Sequence, residues 1–404
     1  MYFSLSWRNL WRNKKRTIIA AASVFFAVLL AVVMRSGQRG SYSYMIDSSA
    51  KLFTGYLQVQ GKGYWENRSL DKSIVLDSGQ QERVSGIPHV TALTPRLEAF
   101  SLVAHETNTK VAQIIGIDPS REDEVTGLKS RLVEGSYLST GSEGVLMARG
   151  LADLLKVTVG DSLIIYGQGY HGQIAAARLP ITGIVKLPFS ELDNGLVYLS
   201  LTKAQDVFSA YGRITSLAVM VDNIRNLPSV KARVRQDLGK GYVIMTWDEM
   251  LPDLVQSIEL DNASGIIMLI ILYIVIAFGV FGTVMMMTSE RIKEFGILIS
   301  VGMKKAKLIL VTTLETIFIS LLGVVTGILG SIPIIVYLYY NPVHMTGDAA
   351  KAFESIGVEP IMKFSIDPHI FFSQSIVVLI IALATAIYPV LFIKAVQPAK
   401  AIHG

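Results

Sequence analysis

Residues 263–289 read ASGIIMLIILYIVIAFGVFGTVMMMTS, a run of 27 residues without one charged side chain. About 20 consecutive apolar residues are enough to span the hydrocarbon core of a bilayer as a helix. Apolar side chains occur on every side of this run, whereas a helix that covers a soluble core has a single apolar face. The run therefore predicts a transmembrane helix and makes the chain an α-helical membrane protein.

Three further stretches of similar length also lack charged side chains, at residues 17–34, 316–347 and 370–393. Together with their flanking residues, these stretches predict four transmembrane helices, at residues 17–36, 263–289, 308–340 and 370–393. The first stretch follows a basic segment, as the apolar part of a secretory signal peptide does. Met34-Arg35 ends the run and no clear small-x-small cleavage site follows it, so an uncleaved membrane helix is the favoured interpretation.

The third predicted helix is too long to cross a bilayer straight, because residues 308–340 extend over roughly 50 Å at 1.5 Å per residue. It is expected to tilt, to extend past the bilayer or to bend, and Pro333 is the expected bend because proline lacks an amide hydrogen. No charged side chain lies deep in any predicted span, which argues against a proton relay or an ion-coupled transporter. Glu315 is expected at the membrane interface.

The net charge of +5 comes from 37 Lys and Arg against 32 Asp and Glu. Residues 1–16, 290–307 and 394–404, together with Glu315, hold 12 basic and 3 acidic side chains, while the remainder holds 25 basic and 29 acidic ones. Loops rich in Lys and Arg stay in the cytoplasm. Both termini are therefore predicted to be cytoplasmic, and the basic excess does not call for a nucleic-acid partner.

This topology predicts the order of the segments along the chain. The cytoplasmic segments are an amphipathic N-terminal segment at 1–16, a loop at 290–307 and a tail at 394–404. The extracytoplasmic segments are a large domain at 37–262 and a loop at 341–369. The chain has no cysteine, which excludes disulfides, thiol catalysis and thiolate metal sites.

The large domain is predicted to be of the α+β class, because alternating and helical patterns are mixed along it. Strands are predicted at residues 57–60, 111–117, 162–166 and 217–221. Helices are predicted at residues 150–155, 202–211, 230–238 and 246–260, the last as an amphipathic helix that continues into the membrane.

The large domain contains no motif that indicates catalysis. Its histidines, His89, His105 and His171, are isolated and lack metal-ligand spacing. The glycine-rich run at 167–172 lacks the Lys and Ser/Thr of a phosphate-binding loop. Gln168, Tyr170 and His171 are instead predicted to lie at a flexible hairpin tip that touches a partner, with a plain turn as the alternative. No catalytic, cofactor-binding or metal-binding residue is predicted, and this chain is not expected to be an enzyme.

Small residues recur at four-residue spacing in three of the predicted membrane helices, and such stripes allow helices to pack closely. The residues predicted to pack in this way are Ser23, Ala27 and Ala31 in the first helix, Gly279 with Thr283 and the nearby Gly282 in the second, and Gly323 and Gly327 in the third. The alternative is that small residues are common in membrane helices whether or not they form a contact.

The loop between the second and third helices is predicted to hold a short helix, ended by Gly302 in the left-handed conformation. A second helix is expected to start at about Lys304. Phe295 and Leu298 are three residues apart and are predicted to share a face that enters a groove of a cytosolic partner. The alternative is an amphipathic helix that lies on the lipid surface.

Residues 290–303 of this loop read ERIKEFGILISVGM, which resembles the cytoplasmic motif of MacB/FtsX-type ABC transporter permeases. In that family the motif forms a coupling helix that contacts the ATPase. WRNL at 7–10, GVLMARGLA at 144–152 and VTVGD at 157–161 also resemble the family. The resemblance implies an ATPase-coupling role for Arg291, Lys293, Glu294, Phe295, Gly296, Leu298, Gly302 and Met303.

Within the family, the arrangement is most similar to lipoprotein-releasing subunits of the LolC/LolE type. This implies a non-catalytic permease of the bacterial inner membrane, with its large domain in the periplasm. The implied partners are a cytosolic ABC ATPase dimer that uses ATP and Mg²⁺, a second permease copy or a paralogue, membrane lipid, a lipoprotein substrate and a periplasmic carrier. One permease of that group recruits the carrier through a proline-containing hook, but the similarly placed loop at 167–178 has no proline.

Two other functions stay open within the same family. One is MacB-like export of peptides, antibiotics or lipids from the periplasm. The other is FtsX-like signalling across the membrane to cell-wall hydrolases.

Overall fold

The structure is a computed structural model that describes residues 2–12, 14–188, 190–348, 350 and 361–395. Contacts divide the chain into two compact units. The helical unit comprises Met1–Ser43, Ser257–His344 and Ile361–Gly404, and the α+β unit comprises Tyr44–Gln256 and Met345–Pro360.

Among the described residues, four helical stretches are long and apolar enough to cross a membrane. These four long helices, numbered first to fourth in chain order, are Lys14–Thr54, Pro252–Ser289, Lys305–Tyr340 and Pro368–Ala395. They confirm the four predicted helices. Each extends beyond its apolar stretch, because hydropathy marks only the part of a helix that can meet lipid and does not register its polar continuation.

The long helices differ in their regularity. The first is α-helical over Lys14–Ser49 and ends in a π-helical turn at Ala50–Thr54. The third is helical throughout, with Pro333 inside it. The fourth consists of two α-helices, Pro368–Thr385 and Ile387–Ala395.

The helical unit also holds two short helices and a small hairpin. An N-terminal helix covers Tyr2–Arg12, and a loop helix covers Ile292–Ser300 between the second and third long helices. Strands β11 (Val343–His344) and β12 (Ile361–Met362) pair antiparallel.

Side chains of the four long helices form one apolar core within the helical unit. Val28, Val280, Val324 and Val378 are all buried in it, one from each long helix. Polar groups add contacts between the first two helices: the Tyr42 hydroxyl donates to Asp261 at 2.5 Å.

The α+β unit is built on one sheet, and its ten strands confirm the four predicted ones. The strands are β1 (Leu57–Gln60), β2 (Val90–His105), β3 (Asn108–Ile117), β4 (Leu132–Gly135), β5 (Val145–Ala148), β6 (Ser162–Gln168), β7 (Ile174–Val185), β8 (Leu196–Ser200), β9 (Ser216–Val221) and β10 (Val243–Thr246). In the described residues their order is β10-β1-β9-β2-β3-β8-β5-β7-β4, and β6 pairs with β2 and β7. All pairs are antiparallel except β3 with β8 and β5 with β7.

Short helices complete the α+β unit and confirm its predicted class. The α-helices lie at Tyr64–Asn67, Ser78–Ser85, Pro119–Thr126, Arg149–Leu155, Ser190–Asp193, Leu201–Val207, Leu227–Leu238 and Trp247–Met250. Short 3₁₀ turns lie at Leu70–Lys72, Leu128–Arg131, Tyr170–Gly172, Ile224–Asn226 and Gly239–Gly241. Buried side chains such as Leu97, Ile114, Leu151 and Leu163 pack the helices onto the sheet.

Two predicted helices of this unit differ from the observed ones. The helix predicted at 202–211 ends at Val207, because Ser209 adopts a left-handed backbone with φ of +54° that a helix cannot accommodate. The helix predicted at 246–260 is broken at Leu251. Pro252 causes this break, since its ring disfavours the helical conformation of the residue before it.

Candidate functional site

The loop helix Ile292–Ser300 has a well-defined end. Gly302 has a φ of +103°, the Met303 amide donates to the Leu298 carbonyl at 3.0 Å, and the Gly302 amide donates to the Ile299 carbonyl at 3.1 Å. This pair of hydrogen bonds is the Schellman motif that closes many helices. The prediction for Gly302 is confirmed, and the third long helix follows directly from Lys305.

One side of the loop helix is anchored in the helical unit. Phe295 is only 1% exposed and packs in a cluster with Leu308 and Ile393, with Met303 at its edge. Phe295 is therefore not available to enter a partner's groove as predicted, whereas Leu298 on the neighbouring position of the helix is 38% exposed. Residue spacing alone does not show which side of a helix the rest of the chain covers.

The other side presents apolar side chains to the exterior. Ile297, Leu298 and Val301 are 53%, 38% and 83% exposed. We call these three residues the loop-helix patch. Lys293 and Glu294 are also exposed on this helix. Ile297 and Val301 were not among the predicted coupling residues, although their four-residue spacing places both on one helical face.

A buried ion pair joins the start of the loop helix to the third long helix. Arg291 Nη1 lies 2.5 Å from Glu315 Oε2, and the two side chains are 12% and 7% exposed. Asn9 Nδ2 of the N-terminal helix donates to the other Glu315 oxygen at 2.8 Å. Burial favours the neutral guanidinium, but the Glu315 carboxylate holds the pKa of Arg291 above its usual value. Glu315 is therefore a buried, paired carboxylate within the helical unit, and its place at the membrane interface stays a prediction.

Exposed ion pairs surround this buried one. Arg291 Nε also donates to Glu294 at 3.2 Å, and Glu294 contacts Arg12 at 3.4 Å. Arg16 of the first long helix pairs with Glu290 at 2.8 Å. The sequence pattern gave one hint of this network, because a lone acid in an apolar helix usually has a partner.

The N-terminal helix packs along the third long helix. Ser6 and Leu10 are buried, and the rings of Phe3 and Trp7 meet the Phe318 ring edge-on, at centroid distances of 4.7 and 5.8 Å. Trp7 remains about half exposed. An aromatic side chain in this position is typical of the membrane–water interface.

The stripes of small residues have different surroundings. A Cβ at Gly323 would lie 2.6 Å from the Val24 Cβ, and one at Gly327 would lie 2.8 Å from the Val28 Cβ, so these glycines allow the close contact. In the first helix, Ala27 and Ala31 are buried and Ser23 is half-buried. Gly279 and Gly282 have no atom of another described segment within 4 Å of such a Cβ, so neither packs against another described helix.

The predicted hairpin between β6 and β7 is present, but its tip is held against the domain. The Tyr170 amide donates to the Phe208 carbonyl at 2.8 Å, and the Arg213 guanidinium lies 4.4 Å from the centre of the Tyr170 ring. The His171 amide donates to Asp71 at 2.8 Å. These contacts do not support the predicted flexibility of the hairpin tip. Gln168 and His171 are nonetheless exposed.

Two family models match the chain. The MacB-like periplasmic core domain matches residues 17–237, which is more than half of the chain, and the FtsX-like permease C-terminal model matches residues 266–398.

Curated relatives agree with both models. The lipoprotein-releasing system transmembrane protein LolC of Xylella fastidiosa (strain 9a5c) is 24% identical over 332 residues, which is 78% of each chain. The macrolide export ATP-binding/permease protein MacB of Acinetobacter baylyi is 21% identical over 82% of this chain, which spans 51% of that protein. Among solved structures, the periplasmic region of MacB from Actinobacillus actinomycetemcomitans aligns with 50% of this chain and 92% of its own, at 16% identity and a TM-score of 0.35.

The two models match successive parts of the chain. The MacB-like model covers most of the α+β unit, and the FtsX-like model covers the second to fourth long helices. The chain therefore belongs to the MacB/FtsX family of ABC transporter permeases, of the LolC/LolE or MacB type.

Proposed function

We propose that this chain is the membrane subunit of a lipoprotein-releasing ABC transporter and that the loop-helix patch docks a separate cytosolic ATPase dimer. The observation that carries the proposal is the exposed apolar patch on a capped and anchored helix. ATP and Mg²⁺ belong to the ATPase, while this chain converts the motion of the ATPase into a conformational change outside the membrane.

The patch has the properties of a helix that enters a groove. Ile297, Leu298 and Val301 follow the spacing of residues on one helical face, which is the pattern by which a groove recognises a helix. Fully burying such a side chain contributes about 1.5–3 kcal/mol. Lys293 and Glu294 supply the polar rim that surrounds the apolar centre of a typical interface.

The anchoring of the helix suits the transmission of force. Phe295 is buried against Leu308 and Ile393, so a displacement of the loop helix is passed to the third and fourth long helices rather than absorbed by a mobile loop. The basic residues around the loop support a cytoplasmic location, with both termini on the same side of a bacterial inner membrane. The first and second long helices then relay the motion to a periplasmic α+β unit.

The proposed lipoprotein cargo is supported by similarity to lipoprotein-releasing proteins and by the exposed apolar surface of the second long helix. Similarity to LolC covers 78% of both chains. Much of the second long helix is apolar and exposed, including Ile267, Ile271 and Phe278. Such a surface suits acyl chains held between this chain and a second permease, either another copy or a paralogue. A periplasmic carrier would receive the released lipoprotein.

MacB-like export remains the second candidate, because MacB relatives match 82% of this chain. The two functions differ in what accompanies the protein. Mass spectrometry of the tagged full chain, purified in mild detergent, is expected to find an ABC ATPase, a second permease and an acylated lipoprotein. An adaptor protein or an outer-membrane channel in place of the lipoprotein would favour export, while a cell-wall hydrolase without lipid would favour signalling.

Docking itself is tested on the patch. Leu298→Asp places a charge on the apolar surface and is expected to weaken ATPase co-purification by about tenfold or more, as for a buried interface residue. Leu298→Met is the matched control, because it keeps an apolar side chain of similar size. Unchanged ATPase recovery with Leu298→Asp would assign the patch to the lipid surface instead.

A further inference from the structure

We propose that the Arg291–Glu315 ion pair is the joint that makes the loop helix, the N-terminal helix and the third long helix move as one body when the ATPase acts. Both residues are positioning residues, since neither belongs to the loop-helix patch. The inference rests on the proposed function and adds to it the route by which motion leaves the docking surface.

The joint connects three segments that are distant in sequence. Arg291 directly precedes the loop helix, Glu315 lies within the third long helix, and Asn9 belongs to the N-terminal helix. Each Glu315 oxygen has its own donor, Arg291 at 2.5 Å and Asn9 at 2.8 Å. Ser6 adds a second link, because its hydroxyl donates to the Val311 carbonyl at 3.2 Å.

Burial makes this pair different from the other ion pairs of the loop. In an exposed ion pair, water readily takes the place of either partner, so the pair resists little mechanical load. Breaking the Arg291–Glu315 pair would instead leave an unpaired charge in an apolar helix bundle, which is strongly unfavourable. A purely apolar contact would hold the helices together equally well, but it would permit sliding, whereas a hydrogen-bonded ion pair fixes direction.

The joint also has room to adjust without breaking. A cavity of about 40 Å³ adjoins the pair, and its lining includes Arg291, Glu315, Thr283, Thr316 and Ser320. A cavity needs roughly 10–15 Å³ by this measure to hold one water molecule. The cavity therefore leaves the guanidinium room to shift, although most of its wall is apolar, with side chains such as Val280, Val284 and Ile319.

The test uses the full chain assembled with its ATPase and a reporter in the α+β unit. The chain has no native cysteine, so Gln168→Cys, at an exposed position, gives a single labelling site. The labelling rate is measured with and without ATP, alongside ATPase recovery and ATP hydrolysis. The variants are Glu315→Gln, Arg291→Lys and the exchange of both charges, Arg291→Glu with Glu315→Arg. The matched control is Glu290→Gln, which removes the more exposed pair with Arg16.

Glu315→Gln is expected to reduce the ATP-dependent difference in labelling by about tenfold, within the range of measured coupling between contacting residues. ATPase recovery and hydrolysis should change by less than about twofold, because the patch is intact. Exchange of the two charges should restore at least about half of the difference, and Glu290→Gln should leave it unchanged. Arg291→Lys, which keeps the charge but loses the forked donor, should give an intermediate value.

Two results would overturn the joint. One is that the labelling rate responds to ATP as strongly in both Glu315→Gln and Arg291→Lys as in the native chain. The other is the loss of ATPase binding in the Glu315→Gln variant, which would show that the pair only maintains the fold of the loop. A native chain that neither retains an ATPase nor responds to ATP would overturn the proposed function itself. Failure of the joint and failure of the proposed function therefore give different results.

Discussion

Gly323 lies so close to the first long helix that a Cβ on it would be only 2.6 Å from the Cβ of Val24. Four residues later, Gly327 has the same relationship with Val28, at 2.8 Å. These two contacts show that the absence of side chains at both positions determines the separation of the first and third long helices. In lipid, close packing of this kind replaces the hydrophobic effect as the main attraction between helices.

The first prediction follows from this contact. Gly327→Val would force the two helices apart and is expected to destabilise the chain by about 1–3 kcal/mol, the usual range for overpacking. Gly279→Val is the matched control, since a Cβ at Gly279 meets no atom within 4 Å in the described chain. Thermal unfolding of both variants in detergent measures the difference. Equal midpoints would show that the glycine contact is not required.

The Gly279→Val variant also tests whether the second long helix packs against another permease. If another permease packs on Gly279, the Gly279→Val variant should retain its thermal midpoint as an isolated chain and lose the association. Size-exclusion chromatography with light scattering reports the mass of the assembly. Unchanged association would mean that this face meets lipid.

The second prediction concerns a buried ion pair in the α+β unit. Arg96 and Glu122 are each 2% exposed, are 2.7 Å apart and form two hydrogen bonds. Glu122→Gln leaves a buried guanidinium without its counter-charge, which costs about 3–5 kcal/mol. Glu134→Gln removes the exposed partner of Arg149 and should cost less than about 1 kcal/mol. Hydrogen exchange of β2 and β3 in the intact chain distinguishes the two, and equal protection would contradict the expectation.

Parts of this architecture were predictable from the residues, because they depend on local chemistry. The run at 263–289 determines a membrane helix by itself, and Gly302 ends the loop helix because glycine tolerates a left-handed backbone. The burial of Phe295 and the partners of Glu315 were not predicted, because both depend on which surfaces the other helices cover. The partner of Glu315 is 24 residues away and Asn9 is 306 residues away, and sequence spacing carries no information at such separations.

The third prediction concerns the dependence of stability on pH. Glu249 in the α+β unit is partly buried, which by itself would raise its pKa, but hydrogen bonds from Lys231 and from the Thr246 amide lower the pKa below its usual value. The folded chain therefore binds this proton less readily than the unfolded chain. The stabilisation is complete above the ordinary pKa of a glutamate and is lost as the pH falls through the lowered value.

Glu249→Gln should accordingly be less stable than the native chain at neutral pH, with a difference that shrinks between about pH 5 and 3. The side chain is 46% exposed, so solvent screening keeps the effect below about 1 kcal/mol. Thermal unfolding across this pH range measures it. A difference that grows as the pH falls would contradict the sign of the effect.

The fourth prediction separates the two faces of the loop helix. Phe295→Ala removes a buried ring from its cluster with Leu308 and Ile393, which is expected to cost about 3–5 kcal/mol of stability. Leu298→Ala removes an exposed side chain and should change stability by no more than about 0.5 kcal/mol. Thermal unfolding of the two variants gives the first half of the comparison.

Binding of the ATPase gives the second half of this comparison. Leu298→Ala should weaken binding while its unfolding midpoint stays close to that of the native chain, because the lost side chain matters only at an interface. Phe295→Ala should lower both quantities, since a loosened loop helix no longer presents the patch in one orientation. If Leu298→Ala left binding intact and Phe295→Ala abolished it without loss of stability, the two residues would have exchanged roles. The coupling surface would then include the buried face, and docking would require the loop helix to detach from the third and fourth long helices.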